Sequence, residues 1–194
     1  MAGYTQASAA SQHPGGNKDK KKRRRAEQLL IEWTTALLVA LVLAVIATQV
    51  VFINAQIPSE SMNNTILTSD RVIGFRLAYL FGAPEREDII LFKYPDNEEQ
   101  TYIKRVIGVP GDSIEIKIGR VYLNGEEVAL PEPYVSGDPM GQFGPYVVPE
   151  DCYFVMGDNR NNSWDSRYWE NTFVRSDQIY GKAWFIIYPR LVVL

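Results

Sequence analysis

The chain has 194 residues, 46% hydrophobic and 22% charged, which suits one ordinary domain with an appendage and excludes a disordered acidic chain or a coiled coil. Its single cysteine, Cys152, excludes an internal disulfide framework, a Cys-rich zinc site and a C-x-x-C redox pair. Its single histidine, His13, lies in a Gly/Ser/Gln-rich tail, so a Ser-His-Asp triad or His-rich metal site in the folded part is excluded and acid–base work falls to Lys, Asp, Glu, Tyr or a thiol. The formal net charge of −3 hides an asymmetry: residues 1–32 carry 7 basic and 3 acidic side chains, the remainder 13 and 20. The basic excess is a local block and not a body-wide nucleic-acid footprint, so no nucleic-acid partner is expected.

Residues 1–32 read as a basic, largely disordered tail whose block Lys18–Arg25 runs K-D-K-K-K-R-R-R. Residues 33–54 read as a transmembrane helix, since Trp33–Ile53 contains 21 residues without a charge. At about 1.5 Å per residue that run crosses a hydrocarbon core of about 30 Å. A cleaved signal peptide is the rival reading, but the run is long and Asn54-Ala55-Gln56-Ile57-Pro58 makes a weak cleavage site. The positive-inside bias puts the tail in the cytoplasm and residues 55–194 outside, a single pass through the cell membrane.

The remainder reads as all-β, in antiparallel sheets. Arg71–Arg76, Asp88–Tyr94, Thr101–Ile107, Ser113–Ile118, Val121–Leu123, Cys152–Met156 and Ile179–Ile187 are short runs rich in β-branched and aromatic residues. Asn124-Gly125 predicts a two-residue hairpin between Val121–Leu123 and Glu127-Val128. A smaller insert or lid is expected at about 111–150, with Pro131–Pro149 as a long loop. Leu77–Phe81 is a patch that either dips into a bilayer or packs in the core.

Three segments carry chemistry. Ile57–Ile66 contains Ser59 and Ser61, either turn formers or a nucleophile with a neighbouring hydroxyl. In Tyr102–Asp112 a strand would set Tyr102, Lys104 and Val106 on one face, and Ile103, Arg105 and Ile107 on the other. A lysine among such neighbours either snorkels or pairs with a carboxylate, or is desolvated into a neutral amine able to act as a base. Met156–Arg167, dense in Asp, Asn, Ser and Arg, is either a solvated turn or a bonded loop that holds other groups in place. Arg160 and Arg167 speak against a calcium loop.

In this order, behind a membrane anchor, the segments resemble the type I signal peptidase family. The serine box, P-S/T-x-S-M-x-P-T-L in the family, stands here as P-S-E-S-M-N-N-T-I, and Ser69-Asp70-Arg71-Val72 matches G-D-x-V. The lysine box appears as R-E-D-I-I-L-F-K-Y-P followed by Y-I-K-R-V-I-G-V-P-G-D, and G-D-N-R-x-x-S-x-D-S-R is complete from Gly157 to Arg167. The resemblance implies a serine endopeptidase with a Ser/Lys dyad. It makes Ser61 the nucleophile, Lys104 the general base, Ser59 the oxyanion-hole hydroxyl and Met62 the substrate-adjacent methionine. Ser163 would orient the amine, while Asp158, Asp165 and Arg167 would form supporting polar pairs with Arg105. Two positions depart from the pattern: Asn64 replaces a proline, which is expected to loosen the turn, and Glu87 replaces a glycine, which reads as a place where positive φ is not needed.

The implied substrates are secretory preproteins, cut after Ala-X-Ala-type sites to release their signal peptides. The implied surroundings are the lipid bilayer and, nearby, the secretion translocon. No cofactor and no metal is expected. Two rivals stay open: another Ser-Lys hydrolase, and an inactive membrane-anchored β module that binds secreted proteins.

Overall fold

The computed structural model describes residues 16–194, with side chains from residue 20 onward. Two compact units divide at Ile46/Ala47. The first is a helix, α1 (Gly16–Ile46). The tail was expected to be largely disordered over 1–32, yet from Gly16 onward it is helical; residues 1–15 lie outside the described residues. Lys, Arg, Glu and Gln are good helix formers, and an Arg23–Glu27 ion pair joins adjacent turns. The helical stretch Lys20–Val51 is long and apolar enough to cross a membrane, and its Leu and Val side chains up to Val50 are exposed. The expected span of 33–54 runs past the helix: Ala47–Val51 is a wider π-helical turn and Phe52 already begins a strand.

The second unit is built of antiparallel strands. In chain order they are β1 (Phe52–Gln56), β2 (Arg71–Phe75), β3 (Ile89–Tyr94), β4 (Asn97–Gly108), β5 (Ser113–Lys117), β6 (Arg120–Leu123), β7 (Phe143–Val147), β8 (Cys152–Met156), β9 (Val174–Arg175), β10 (Ile179–Tyr188) and β11 (Val192–Val193). The main sheet runs β1-β2-β10-β3-β4-β8-β9, with β11 on β10, and a second sheet runs β6-β5-β7. The all-β antiparallel fold read from the sequence is thus the one adopted. The second sheet lies within the segment read as an insert, and β7 forms inside the stretch read as a long loop.

The hairpin signal was misplaced. The tight turn joining β5 to β6 is Ile118-Gly119, both at positive φ, while Asn124-Gly125 turns into a non-strand segment. Ser113 explains the difference: its carbonyl accepts the Asn124 N–H at 2.8 Å and its N–H donates to Asn124 Oδ1 at 2.8 Å. Asn124 therefore closes the β5–β6 pair from the far end.

Three apolar clusters fill the unit. Strand alternation sends Ile89 and Leu91 into one, with Ile57, Met62, Ile66 and Ile103, and Ile90 and Phe92 into another, with Val106, Val155 and Trp169. The third, around Ile107, Ile114, Val121 and Phe154, joins the two sheets. Most of β3 and the second half of β4, residues 103–108, are buried on both faces, which fixes the backbone there. Lys104 stands opposite Ile90, and Arg105 opposite both Ile89 and Met156.

Candidate active site

Ser61 follows β1 on a turn held by its own backbone: Asn63 N–H reaches Glu60 O at 3.0 Å and Ile66 N–H reaches Met62 O at 2.8 Å. Met62 and Ile66 anchor that turn, both fully buried. Met62 was expected beside substrate; it instead occupies the core and does not line the cleft. A long unbranched side chain pointing inward from a turn fills the core, while the preceding serine faces outward.

The cleft has a volume of about 890 Å³ and is bordered by Ala55–Ser61, residues 101–104 of β4, and the Asn161–Trp164 loop. Ser61 and Lys104 meet on its floor, where Lys104 Nζ stands 2.5 Å from Ser61 Oγ. Lys104 is only 4% exposed and Ser61 5%. Ser59 Oγ is 3.3 Å from Ser61 Oγ. Burial disfavours the ammonium and brings the Lys104 pKa down to about 8, against the opposing pull of the Asp165 and Asp158 charges and with a smaller push from Arg167.

Each of those two carboxylates is held by an arginine. Arg105 grips Asp158 bidentately, Nε to Oδ1 at 2.8 Å and Nη2 to Oδ2 at 2.6 Å. Arg167 grips Asp165 the same way, at 2.8 and 2.9 Å. Asp165 was expected to pair with Arg105; it belongs to Arg167, two residues along the same loop. Buried charges of this kind persist only when fully paired and hydrogen-bonded. Further bonds complete them: Thr65 Oγ1 donates to Asp158 Oδ2 at 2.5 Å, Arg105 Nη1 to Glu87 O at 2.9 Å, and Gly157 N–H to Asp165 Oδ2 at 3.0 Å.

Ser163 is buried and lines the cleft, but its Oγ makes no hydrogen bond in the structure, to Lys104 or otherwise. Gly157 lets its loop close on the serine turn: a Cβ there would lie 2.3 Å from Ser163 Oγ and 2.4 Å from Ser61 O. Asn159 N–H ties the loop down by donating to Ser61 O at 3.0 Å.

Sequence reasoning gave Thr65, Tyr102 and Arg160 no role in the site. Thr65 stood inside the serine motif with nothing to mark its partner 93 residues away. The Tyr102 ring, 5.5 Å from Lys104 Nζ, follows from the i, i+2 rule on one strand face. Arg160 is buried against Glu132, a pairing that no local pattern announces. The glycine-to-glutamate departure was also misread. Glu87 has φ +76° and Ser69, at another family glycine position, also has φ +76°, so the left-handed backbone is kept without the glycine. Asn64 has φ +99°, a conformation closed to proline.

The sequence pattern of the family described as "Signal peptidase, peptidase S26" matches residues 30–188. The chain belongs to this family. The "Probable signal peptidase I-2" of Synechocystis sp. is 41% identical over 138 residues, 69% of this chain and 62% of that protein. The chain thus spans a little under two thirds of that relative's length. "Signal peptidase I S" of Bacillus subtilis is 34% identical over 171 residues, covering 82% of this chain and 90% of the relative. A crystal structure of a signal peptidase I from Enterococcus faecalis V583 is 38% identical and aligns with a TM-score of 0.44, over 51% of this chain and 95% of the other. The apolar N-terminal helix is consistent with membrane anchoring.

Proposed function

We propose that the chain is a membrane-bound signal peptidase I, a serine endopeptidase that removes N-terminal signal peptides from exported preproteins by a Ser61–Lys104 dyad. The observation that carries this reading is the 2.5 Å approach of Lys104 Nζ to Ser61 Oγ inside an open cleft. A lysine amine with its pKa lowered to about 8 is the group an alcohol nucleophile needs when no histidine is at hand.

With Lys104 neutral, the Ser61 hydroxyl donates its hydrogen to Nζ. Ser61 Oγ then bonds to the scissile carbonyl carbon as its proton passes to the amine. The Ser61 N–H and the Ser59 hydroxyl are assigned to the oxyanion. The ammonium returns the proton to the departing amide nitrogen as the C–N bond breaks, leaving an acyl-Ser61 ester and neutral Lys104. Water attacks that ester, its proton going to Nζ; as the acyl C–Oγ bond breaks, Nζ returns that proton to Ser61 Oγ, which restores the hydroxyl and the neutral amine. Ser163 Oγ, buried and without a bond, is assigned to receive the amine when it turns from Ser61. Asp158–Arg105 and Asp165–Arg167 hold the field around the amine.

Strand β8 pairs β4 only from Arg105 onward, so the β4 edge at residues 101–104 is unpaired where it borders the cleft. An extended peptide can add there as a strand. Small residues at the first and third positions before the cut are expected from the family resemblance. The basic block supports a cytoplasmic N-terminus, with the β unit and its bilayer-held substrates on the outer face, near the translocon.

Cleavage of a preprotein by the detergent-solubilised chain tests this. The wild type should release product at the signal-peptide junction, and Ser61→Ala and Lys104→Met should each be inactive with the double variant no worse. Near-normal turnover by folded Lys104→Met eliminates the dyad.

A further inference from the structure

The loop between β6 and β7 places two side chains against the arginines of the site. Glu132 bonds both terminal nitrogens of buried Arg160, with Nη1 at 2.9 Å and Nη2 closer. The Tyr134 hydroxyl donates to the same carboxylate at 3.1 Å, and its ring lies 4.0 Å from the Arg105 guanidinium carbon. The Tyr134 carbonyl accepts Asn64 Nδ2 at 3.5 Å, linking the loop to the serine turn. Neither side chain borders the cleft.

We propose that Glu132 and Tyr134 are positioning residues for the Ser61–Lys104 pair, acting through Arg160 and Arg105; this rests on the reading that the pair performs the cleavage. Each arginine reaches the field around the amine. Arg105 neutralises Asp158. Arg160 Nε donates to Gly157 O at 3.1 Å, and its carbonyl accepts Arg167 Nη2 at 2.8 Å while Arg167 holds Asp165. Asp165, Asp158 and Arg167 are the charges that act on Lys104. The Tyr134 ring covers the face of a guanidinium that must stay flat and dry to hold Asp158 in both forks. Without the ring, water reaches Arg105, its grip slackens, and Asp158 acts on Lys104 as a less compensated anion. The ammonium gains, and fewer molecules carry a competent base at a given pH.

The test is preprotein cleavage against pH by the purified full chain in detergent, for wild type, Ser61→Ala, Tyr134→Leu, Tyr134→Phe and Glu132→Gln. Tyr134→Leu should lose about ten-fold in kcat, the scale of a desolvated cation–π contact, with KM little changed. The midpoint of its acidic limb should move upward, and Tyr134→Phe, which keeps the ring, should restore both. Glu132→Gln leaves the Arg160 cation unanswered, which disfavours the ammonium, so its midpoint should move downward; it supplies the second reading if Tyr134→Leu does not fold. Folded variants with wild-type midpoints overturn the proposal, even if less stable. Cleavage surviving in Ser61→Ala strikes the dyad itself; an inactive Ser61→Ala beside unchanged clamp variants strikes the clamp alone.

Discussion

A lysine that serves as a base must release its proton where an exposed lysine keeps it, and at Lys104 dehydration outweighs two nearby carboxylates. The sign follows: below about pH 8 the amine is charged and incompetent, and above it the neutral form predominates. The logarithm of kcat/KM should rise with unit slope up to about pH 8 and then level. A profile flat from pH 6 to 9 would remove Lys104 from the base's role. Ser69 and Glu87 sit at positive φ at a cost of roughly 1–2 kcal/mol each. Ser69→Gly and Glu87→Gly should therefore each raise the thermal midpoint by a few degrees, against a smaller loss from glycine's freedom in the unfolded chain. Asn64→Pro should lower it, because proline cannot reach φ +99°. At this scale short motifs mark the residues: Ser61 and Lys104 stand side by side in the cleft, while Asp158 and Asp165 are buried in arginine pairs that do not line it. Their pairing was not legible, because which arginine meets which carboxylate depends on loop geometry.

Most strands were readable because each is a short β-branched or aromatic run ended by Gly, Pro, Asp or Asn. Those missed carry weaker signals. β1 continues an apolar run that length assigned to the membrane, and β7 contains Gly144 and Pro145, which read as loop. β9 and β11 have two residues each and exist only through the partners they meet. The loop after β8 depends on one residue without a side chain. Gly157→Ala would press a methyl onto Ser163 Oγ and Ser61 O, and overpacking of this kind costs about 1–3 kcal/mol. Its expected outcome is a lower thermal midpoint together with a lower kcat. A drop in stability alone, with kcat intact, would mean that the two loops need not touch this closely.

For the molecule as a whole, the charge asymmetry and the uncharged run predict one topology. Protease added outside spheroplasts should digest the β unit and spare the basic tail; protection of the C-terminal unit would reverse the orientation. Within the β unit, Phe81 is 99% exposed and Leu80 is exposed beside it, which favours the surface reading of that segment over core packing. Residues 47–194 alone should sediment with lipid vesicles, and Leu80→Ser with Phe81→Ser should release them. An amine as base in place of an imidazole, as proposed, would also fix which poisons can work. Chloromethyl ketones inactivate many serine proteases by alkylating the ring nitrogen of the base, and pyrocarbonates acylate the same ring. With its one histidine at position 13, ahead of the apolar helix, this chain offers neither reagent that target. Cleavage should survive a chloromethyl ketone, whereas a small acylating agent, a pyrocarbonate among them, that reaches the neutral form of Lys104 should silence it.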